Sequence, residues 1–411
     1  MTAAIAVQDG TEATGTFTSR PHFAGFEILR AASAFMILAH HAASYAGPER
    51  TGRLRVLFES FEIAVPVFFV TSGFLIFRPL VTAHFVGSSG PRLVDFWWRR
   101  MLRVVPAYWL ALTFWWLVGN FELGDDWWRY YLFLQIYDRY TVFGGIVQAW
   151  TLATEVAFYL AIPLWAILVG RLARRLRSAN QVLALQLTGC AILWAGAVVA
   201  RATVDHYAPH KSGLTFTWLP MNLDPFAWGM GLAAVSVWSM QNPRARAALE
   251  RWGRPVGLWW SAAIAVMLWY GYVIGPATDY HGWFWQRRQL VFLLGGVLAV
   301  IPAAFGPARG GSFIRRFWGA RPLVWLGSIS YALYLWHFDI IKRGVAAGVH
   351  NEFHDYELWP GWLGSQQGDT NLLHLLLLGV VGGVLCAAVS WHVVEKPLSR
   401  FRKLFARTGT R

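Results

Sequence analysis

Two basic side chains near the start of the sequence are spaced in a way that could support chemistry. They lie in a stretch that runs from Glu27 through Arg30 to His41 and is otherwise apolar enough to enter a bilayer. Ionisable groups at that depth are costly and usually mark functional sites. Arg30 and His41 are 11 residues apart, which is three helical turns plus about 20° and roughly 16 Å of rise. Both side chains therefore share one helix face, whereas His40 points about 80° away. This stripe indicates a site for a long, thin ligand with an anionic head.

The composition indicates that the stretch belongs to a polytopic membrane protein. The chain has 411 residues, of which 56% are hydrophobic and only 14% are charged, against about 25% charged residues in soluble domains. Apolar blocks of about 20 residues, the length that crosses a hydrocarbon core, recur from end to end. We therefore predict an all-α bundle of about ten transmembrane helices. The predicted spans are 26–45, 60–79, 104–119, 149–170, 181–203, 216–238, 256–275, 289–306, 323–341 and 372–394.

The distribution of charge between these spans predicts their orientation. Arginine and lysine residues cluster in alternate loops and in the C-terminal tail, whereas the opposite loops are balanced or acidic. By the positive-inside rule, both termini are cytoplasmic in the plasma membrane. Lys342 and Arg343 are the exception to this rule, because these two basic residues lie at the outer end of the ninth predicted span. The net charge of +14 is thus explained by topology, and nucleic-acid binding is not predicted.

The chain divides into one large membrane domain with short flanks. We predict a disordered cytoplasmic leader over 1–22, a transmembrane domain over 23–398 and a basic cytoplasmic tail over 399–411. The aromatic segment 127–148 is interrupted by charged and glycine residues, so we expect it to lie at the outer interface or to be re-entrant. The outer loop 346–370 is long enough to cap a site. Cys190 and Cys386 both lie inside predicted spans, which favours neither a disulfide nor a thiol metal site.

Further stretches carry polar residues that a plain helix bundle does not need. They are 68–76 with Ser72-Gly73-Phe74, 100–109 with Arg100 and Arg103, 150–159 with Glu155 and Tyr159, 326–337 with Tyr331 and His337, and Glu395-Lys396-Pro397 after the last span. Together with Arg30 and His41, and in this order over nearly the whole chain, these motifs resemble those of the acyltransferase-3 family of integral membrane O-acyltransferases.

The resemblance implies an enzyme that moves an acetyl or other short acyl group from acyl-coenzyme A to a hydroxyl of a carbohydrate, glycolipid or macrolide-like acceptor. It assigns the catalytic histidine to His41 rather than His40. It also implies that the active-site region contains Ser72-Gly73-Phe74, Arg100, Arg103 and Glu155. One departure is Val156, which follows Glu155 where family members often have a second acid.

Each implied role has a simpler alternative. Arg30, Arg100 and Arg103 are predicted to bind the phosphates of the donor from the cytoplasm, because guanidinium groups pair well with phosphate. Arg30 could instead pair with Glu27 or snorkel, and the other two could serve only to set topology. His41 is predicted to be the general base, since an imidazole titrates near neutrality. A structural histidine in the bundle is the alternative.

The remaining candidates are expected to bind substrate or orient the base. Glu155 is predicted to be a second catalytic residue that orients an imidazole or receives acceptor hydroxyls, with a structural ion pair as the alternative. Ser72 is predicted to pack in the bundle or to hydrogen-bond to substrate, in preference to acting as a nucleophile. Tyr159, Tyr331 and His337 are predicted to contact substrate, although His337 could equally be a core histidine with satisfied hydrogen bonds. No metal is predicted, because His and acidic residues are not grouped at ligand spacing.

Two other classes of protein remain open from the sequence. A transporter or flippase of an envelope precursor would use Arg30, His41 and Glu155 as a proton or substrate pathway. The absence of a visible internal repeat disfavours it. A non-catalytic scaffold would not explain ionisable residues on a common buried face. The oligomeric state is not readable from the sequence.

Overall fold

The computed structural model describes residues 21–46, 54–88, 90–274, 282–306, 320–348 and 372–403. All regular structure within these residues is helical. The leader up to residue 20, most of the outer loop 346–370 and the tail beyond residue 403 lie outside the described residues.

The bundle consists of long helices joined by short helical turns. In chain order the α-helices are α1 (Pro21–Ala46), α2 (Arg55–Ser60), α3 (Ala64–Val86), α4 (Leu93–Leu117), α5 (Trp127–Tyr131), α6 (Trp150–Ala173), α7 (Ala179–Tyr207), α8 (Ser212–Thr215), α9 (Leu223–Met240), α10 (Pro243–Gly253), α11 (Val256–Trp269), α12 (Gly282–Phe305), α13 (Arg321–Gly348), α14 (Leu372–Ser390) and α15 (Lys396–Leu398). Turns of 3₁₀-helix occur at Phe61–Ile63, Gly124–Asp126, Gln135–Tyr137, Val147–Ala149, Pro209–Lys211, Leu219–Asn222 and Ser399–Lys403. Tyr270–Ile274 and Trp391–Glu395 are π-helical.

Several of these helices have the length and apolarity of membrane spans. Within the described ranges, 6 helical stretches are long and apolar enough to cross a membrane: Val56–Val86, Val147–Ala173, Ala179–Tyr207, Val256–Val273, Gly282–Phe305 and Leu372–Phe401. This is the pattern of a multi-pass membrane protein. The other predicted spans fall on α1, α4, α9 and α13, which carry ionisable side chains that lower their apolarity.

The segment 127–148 breaks into short pieces. It contains the five-residue helix α5 and a turn at Gln135–Tyr137, and neither is long enough to cross a hydrocarbon core. The segment is fastened to the bundle, because Tyr108 donates a hydrogen bond of 3.0 Å to the carbonyl of Tyr130. This agrees with the prediction that the segment is not a span.

A buried ion pair fastens α7 to α9. Arg201 and Asp224 are 3.2 Å apart, and both side chains are 0% exposed. Arg201 also donates to the Met221 carbonyl at 2.6 Å and to Gln286 of α12 at 3.0 Å. Charges at such depth are tolerated when they are paired and hydrogen-bonded. The pair therefore connects three helices of the scaffold away from the predicted site residues.

The discordant pair Lys342 and Arg343 is explained by local contacts. Arg343 donates to the carbonyl of Val118 and, at 3.2 Å, to the side chain of Asn120. Lys342 donates to the carbonyl of Asn120 at 3.1 Å, while Asp339 accepts from the Asn120 amide at 2.5 Å. Cations at a helix C-terminus satisfy its free carbonyls. Here they hold the end of α4 against α13 and are partly balanced by Asp339.

Close packing between α3 and α9 depends on two glycines. A Cβ at Gly229 would clash with the carbonyl oxygen of Val70, and one at Gly73 would clash with that of Phe226. Small residues at such crossings let two backbones approach, which is how membrane helices commonly pack. The Gly73 of the Ser-Gly-Phe motif is thus required by the α3–α9 contact.

Gly229→Ala should destabilise the bundle by about 1–3 kcal/mol, the usual cost of inserting a methyl group into a full contact. The matched control is Gly196→Ala on α7, where a Cβ would meet nothing within 4 Å. That variant should unfold at the wild-type temperature or slightly above it, because alanine is the better helix former. Thermal unfolding of the purified protein in detergent measures both. Equal unfolding temperatures for the two variants would contradict the close α3–α9 contact.

Candidate active site

A cavity inside the bundle collects most of the predicted site residues. It lies between α1, α3, α4, α6 and α13 and has a volume of about 80 Å³. Among the described residues, its lining includes Arg30, Ser72, Arg100, Arg103, Glu155, Tyr159 and Tyr331. These residues come from five helices and from positions more than 300 residues apart, so the fold brings together what the motifs only suggested. His41 and His337 are not part of this lining.

Glu155 is the acidic group of the cavity and is held by two hydroxyls. Ser72 donates a hydrogen bond of 2.5 Å to Glu155 Oε1, joining α3 to α6. Tyr159, one turn further along α6, also hydrogen-bonds to this carboxylate. Ser72 thus donates to a carboxylate of the protein, whereas the sequence favoured packing or a hydrogen bond to substrate. The arrangement fixes the direction in which Glu155 presents its charge.

Three arginines give the cavity an excess of positive charge. Arg30 lies 3.5 Å from Glu27 on its own helix, with side-chain exposures of 13% and 28%. The pairing with Glu27 that the sequence left open is therefore present, yet Arg30 also lines the cavity, where it repels Arg103 and attracts Glu155. Arg100 lies over the ring of Tyr159, at 5.9 Å from its centroid. Three guanidinium groups around one carboxylate favour an anionic ligand.

Two hydrogen bonds to backbone carbonyls fix α4 beside the cavity. Tyr331 of α13 donates a hydrogen bond of 2.8 Å to the carbonyl of Val104 on α4, one residue after Arg103. Pro163 has no N–H to bond the carbonyl of Tyr159 four residues earlier. Trp97 of α4 supplies this missing donor at 3.0 Å. Both hydrogen bonds hold α4, and with it the arginines, against the rest of the site.

His41 and His337 form a pair outside the cavity. His41 Nδ1 and His337 Nε2 are 2.9 Å apart, and the rings stack with centroids 5.2 Å apart. Phe338 packs edge-on against the His41 ring at 4.7 Å. His40 turns elsewhere, since its Nδ1 lies 3.0 Å from the carbonyl of Phe58. The predicted difference between the two adjacent histidines is therefore reflected in their contacts.

The hydrogen bonds of this pair specify its tautomers when both rings are neutral. His337 Nδ1 lies 3.0 Å from the carbonyl oxygen of Leu333, which can only accept, so Nδ1 carries the proton. His337 Nε2 then has a lone pair and accepts from His41 Nδ1–H. This leaves His41 Nε2 unprotonated. The geometry thus gives His41 the form that a general base needs.

An apolar cluster interrupts the stripe between Arg30 and His41. Ile37 is buried against Ala64 and Tyr334, with Val65 and Phe68 packed around them. The site for one long, thin ligand that the helical spacing indicated is therefore interrupted between Arg30 and His41 in this structure. Spacing along α1 sets the direction of Arg30 and His41, but it says nothing about which side chains of α3 and α13 fill the space between them.

Tyr334 lies between the cavity and the histidine pair. Its ring lines the cavity and lies 5.8 Å from that of His337, while its hydroxyl donates to the carbonyl of Gln148 at 2.8 Å. The hydroxyls of Tyr334 and Thr151 are 2.6 Å apart, and the Gln148 amide donates to the Tyr334 carbonyl at 3.1 Å. Tyr334 lies within the polar stretch 326–337 of the sequence. Its hydrogen-bond partners Gln148 and Thr151 could not be identified from the sequence, because they are simply polar residues near the start of a helix.

Within the described ranges, no group of three or more His, Cys, Asp or Glu side chains is arranged to hold a metal ion.

Comparison with known proteins relates the chain to cell-wall acetyltransferases. YrhL of Bacillus subtilis (strain 168), by its name a candidate peptidoglycan O-acetyltransferase, is 24% identical over 353 residues, covering 82% of this chain and 50% of that protein. The peptidoglycan O-acetyltransferase OatA of Listeria monocytogenes is 23% identical over 303 residues, covering 68% of this chain and 44% of that protein. The O-acetyltransferase OatA of Staphylococcus aureus (strain NCTC 8325 / PS 47) is 24% identical over 309 residues, covering 68% and 46%.

The chain spans about half the length of these relatives. No solved structure matches it. A sequence model described as an acyltransferase domain matches residues 23–392, which is most of the chain. The motifs and this match agree, and the chain belongs to the acyltransferase-3 family.

Proposed function

We propose that this protein is a plasma-membrane O-acyltransferase that moves an acetyl or other short acyl group from acyl-coenzyme A to a hydroxyl of an envelope glycan or related acceptor. The observation that supports this most directly is the pairing of an arginine-lined cavity with an adjacent histidine pair. Membership of the acyltransferase-3 family and the names of the relatives point the same way.

The charge pattern supports about ten spans with both termini in the cytoplasm. In that orientation α1 runs outward, so Arg30 lies on the cytoplasmic side of His41. The arginines would then meet the donor first. The negatively charged phosphates of coenzyme A suit Arg30, Arg100 and Arg103, because guanidinium groups bind phosphate with two parallel hydrogen bonds. The rise of about 16 Å from Arg30 to His41 is comparable to an extended pantetheine arm.

The reaction needs the thioester carbonyl and the acceptor hydroxyl to meet beside His41 Nε2. His41 takes the hydroxyl proton as the oxygen attacks the carbonyl carbon. The C–S bond then breaks, the ester is released and the imidazolium returns the proton to the leaving thiolate. Throughout, His41 Nδ1–H keeps its hydrogen bond to His337, which holds the ring in place and stabilises the imidazolium. This is direct transfer in a ternary complex, without an acyl-enzyme.

Glu155 acts on the donor side in this proposal. Its hydrogen bonds with Ser72 and Tyr159 and its electrostatic attraction to Arg30 lie within the arginine-lined cavity. The sequence had suggested that Glu155 faces the acceptor or orients an imidazole. Its position instead supports a role in holding the donor arginines and the cavity hydroxyls in place, so Glu155 is a positioning residue rather than a proton acceptor.

The apolar cluster of Ile37, Ala64, Val65, Phe68 and Tyr334 separates the donor cavity from the histidines. The acyl end of the donor must displace part of this cluster to reach His41. A narrow apolar passage admits an acetyl group more readily than a long or polar chain. The cluster thus supports selection for short acyl groups, and it restrains water from reaching the thioester before an acceptor arrives.

A transporter is the second candidate, because an inward-facing carrier also has a substrate cavity that is closed on one side by apolar side chains. The two functions differ in one measurable product. A transferase releases free coenzyme A thiol from acetyl-coenzyme A when acceptor is present, and a carrier releases none.

His41→Ala should abolish that thiol release, with a loss of about 10²–10⁴-fold in kcat, the usual contribution of a general base. His40→Ala is the matched control, because His40 contacts a backbone carbonyl of the segment before α3 instead of His337. It should keep wild-type turnover. A colorimetric thiol assay on purified protein with acetyl-coenzyme A and a soluble glycan acceptor measures both. Equal activity of the two variants would contradict the assignment of the base.

His337→Leu should lower kcat by about 10–100-fold while leaving the KM for acetyl-coenzyme A unchanged, because it removes the acceptor that orients His41 but touches no donor residue. His337→Gln keeps an acceptor oxygen and should retain more activity than His337→Leu. Steady-state kinetics of both variants measure the difference. A rise in KM without a fall in kcat would instead mean that His337 binds substrate, as the sequence analysis had expected.

A further inference from the structure

A second cavity lies where α3 and α6 end, on the side of the bundle that is cytoplasmic in the proposed orientation. It has a volume of about 250 Å³, several times the roughly 30 Å³ share of one water molecule. Among the described residues, it shares no lining residue with the arginine cavity. The reaction proposed above does not use this second cavity.

The second cavity lies between the ends of three helices that are held in place. His84 of α3 lines it, and His84 Nδ1 lies 2.9 Å from the side-chain amide nitrogen of Gln186 on α7. Gly170 lets α6 pass close to the same ring, because a Cβ there would lie 2.8 Å from His84 Nε2. Pro91 and Leu93 complete the lining where α4 begins. The cavity is therefore a defined space between α3, α4 and α6.

The charge of the second cavity comes from Arg171 and Arg174 at the end of α6. Both side chains are exposed, and both line the cavity. Within the described part of the chain, neither forms an ion pair with a carboxylate. The described lining also contains no Asp or Glu. Two guanidinium groups one turn apart, beside a space without acidic groups, favour a phosphate.

An exposed apolar stripe on α6 runs directly to these arginines. Leu160, Leu164 and Ile167 are 51%, 55% and 38% exposed. With Arg171 they follow one another at intervals of four, three and four residues, which places all four on one face of the helix. They belong to the candidate span Val147–Ala173, so the apolar part of this face lies against lipid chains.

The cavity and the apolar stripe are continuous with each other. Ile167 belongs to both, because it is part of the exposed stripe and also lines the cavity beside Arg171. From Leu160 to Arg171 the helix rises about 16 Å, close to half of the roughly 30 Å hydrocarbon core. A phosphate joined to a long apolar chain therefore matches the whole surface, whereas a soluble phosphate would use only its charged end.

We propose that the second cavity binds an anionic phospholipid. Arg171 and Arg174 pair with its phosphate, and one acyl chain lies along the stripe of Leu160, Leu164 and Ile167. A zwitterionic lipid fits less well, because the described lining offers no carboxylate for the amine of its headgroup. This inference does not depend on the proposed reaction.

Native mass spectrometry of the purified protein with phosphatidylglycerol and phosphatidylcholine of the same acyl chains tests this proposal. Wild type should bind phosphatidylglycerol at least about tenfold more tightly. The double variant Arg171→Gln/Arg174→Gln should lose about tenfold to thirtyfold in that affinity, because each cation near an anionic lipid contributes to its binding. Both arginines are exposed, so this variant should unfold at the wild-type temperature when no lipid is added.

The matched control is Arg175→Gln/Arg177→Gln, which removes the same charge from the same segment. Arg175 and Arg177 are exposed but do not line the cavity, so this variant should keep wild-type affinity within about twofold. An equal loss in the two double variants would mean a general attraction of the basic segment to anionic lipid and would overturn the proposal. Equal affinity of wild type for the two lipids would also overturn it, as would binding of sn-glycerol 3-phosphate as tight as that of phosphatidylglycerol.

Discussion

Polar groups inside an apolar bundle must find partners within the protein, and this requirement organises the site. Glu155 is bonded by Ser72 and Tyr159, and Arg30 is balanced by Glu27 on its own helix. Unpaired, such groups would cost several kcal/mol each in a lipid-like environment. The Ser72–Glu155 hydrogen bond joins α3 to α6, so the contact that satisfies this charge also fixes where these two helices meet. A preorganised cavity is therefore a consequence of membrane folding as much as of function.

The separation of the arginine cavity from the histidine pair has a physical purpose in a transferase. A thioester that reached a base freely would be exposed to hydrolysis, and in the proposed mechanism the apolar cluster around Ile37 and Tyr334 keeps the two regions apart until the acyl group enters. The tautomer of His41 is set on the far side of this cluster through His337 and the Leu333 carbonyl. The arginine cavity and the histidine pair are thus neighbouring regions that share α1 and α13.

The sequence predicted the helical class and singled out the charged residues that line the cavity, because intramembrane charge is rare enough to be informative. The helical period also separated His41 from His40 correctly. It did not predict the apolar cluster, since the Ile37–Tyr334 contact depends on how α1 and α13 cross. It did not predict the hydrogen bond from Ser72 to Glu155, which joins two helices that are far apart in the sequence. The Arg201–Asp224 pair lay inside two predicted spans and was missed, because neither residue belongs to a recognised motif.

The most direct measurement is a structure of the protein with a non-hydrolysable acetyl-coenzyme A analogue in which a methylene group replaces the thioester sulfur. We expect the pyrophosphate beside Arg30, Arg100 and Arg103. We also expect the Ile37–Tyr334 cluster to be displaced and the acyl carbonyl carbon to lie near His41 Nε2, leaving room for a hydroxyl at about 3–3.5 Å from that carbon. An acyl group that stays on the Glu155 side of an intact cluster, or phosphates that lie outside the arginine cavity, would contradict the mechanism.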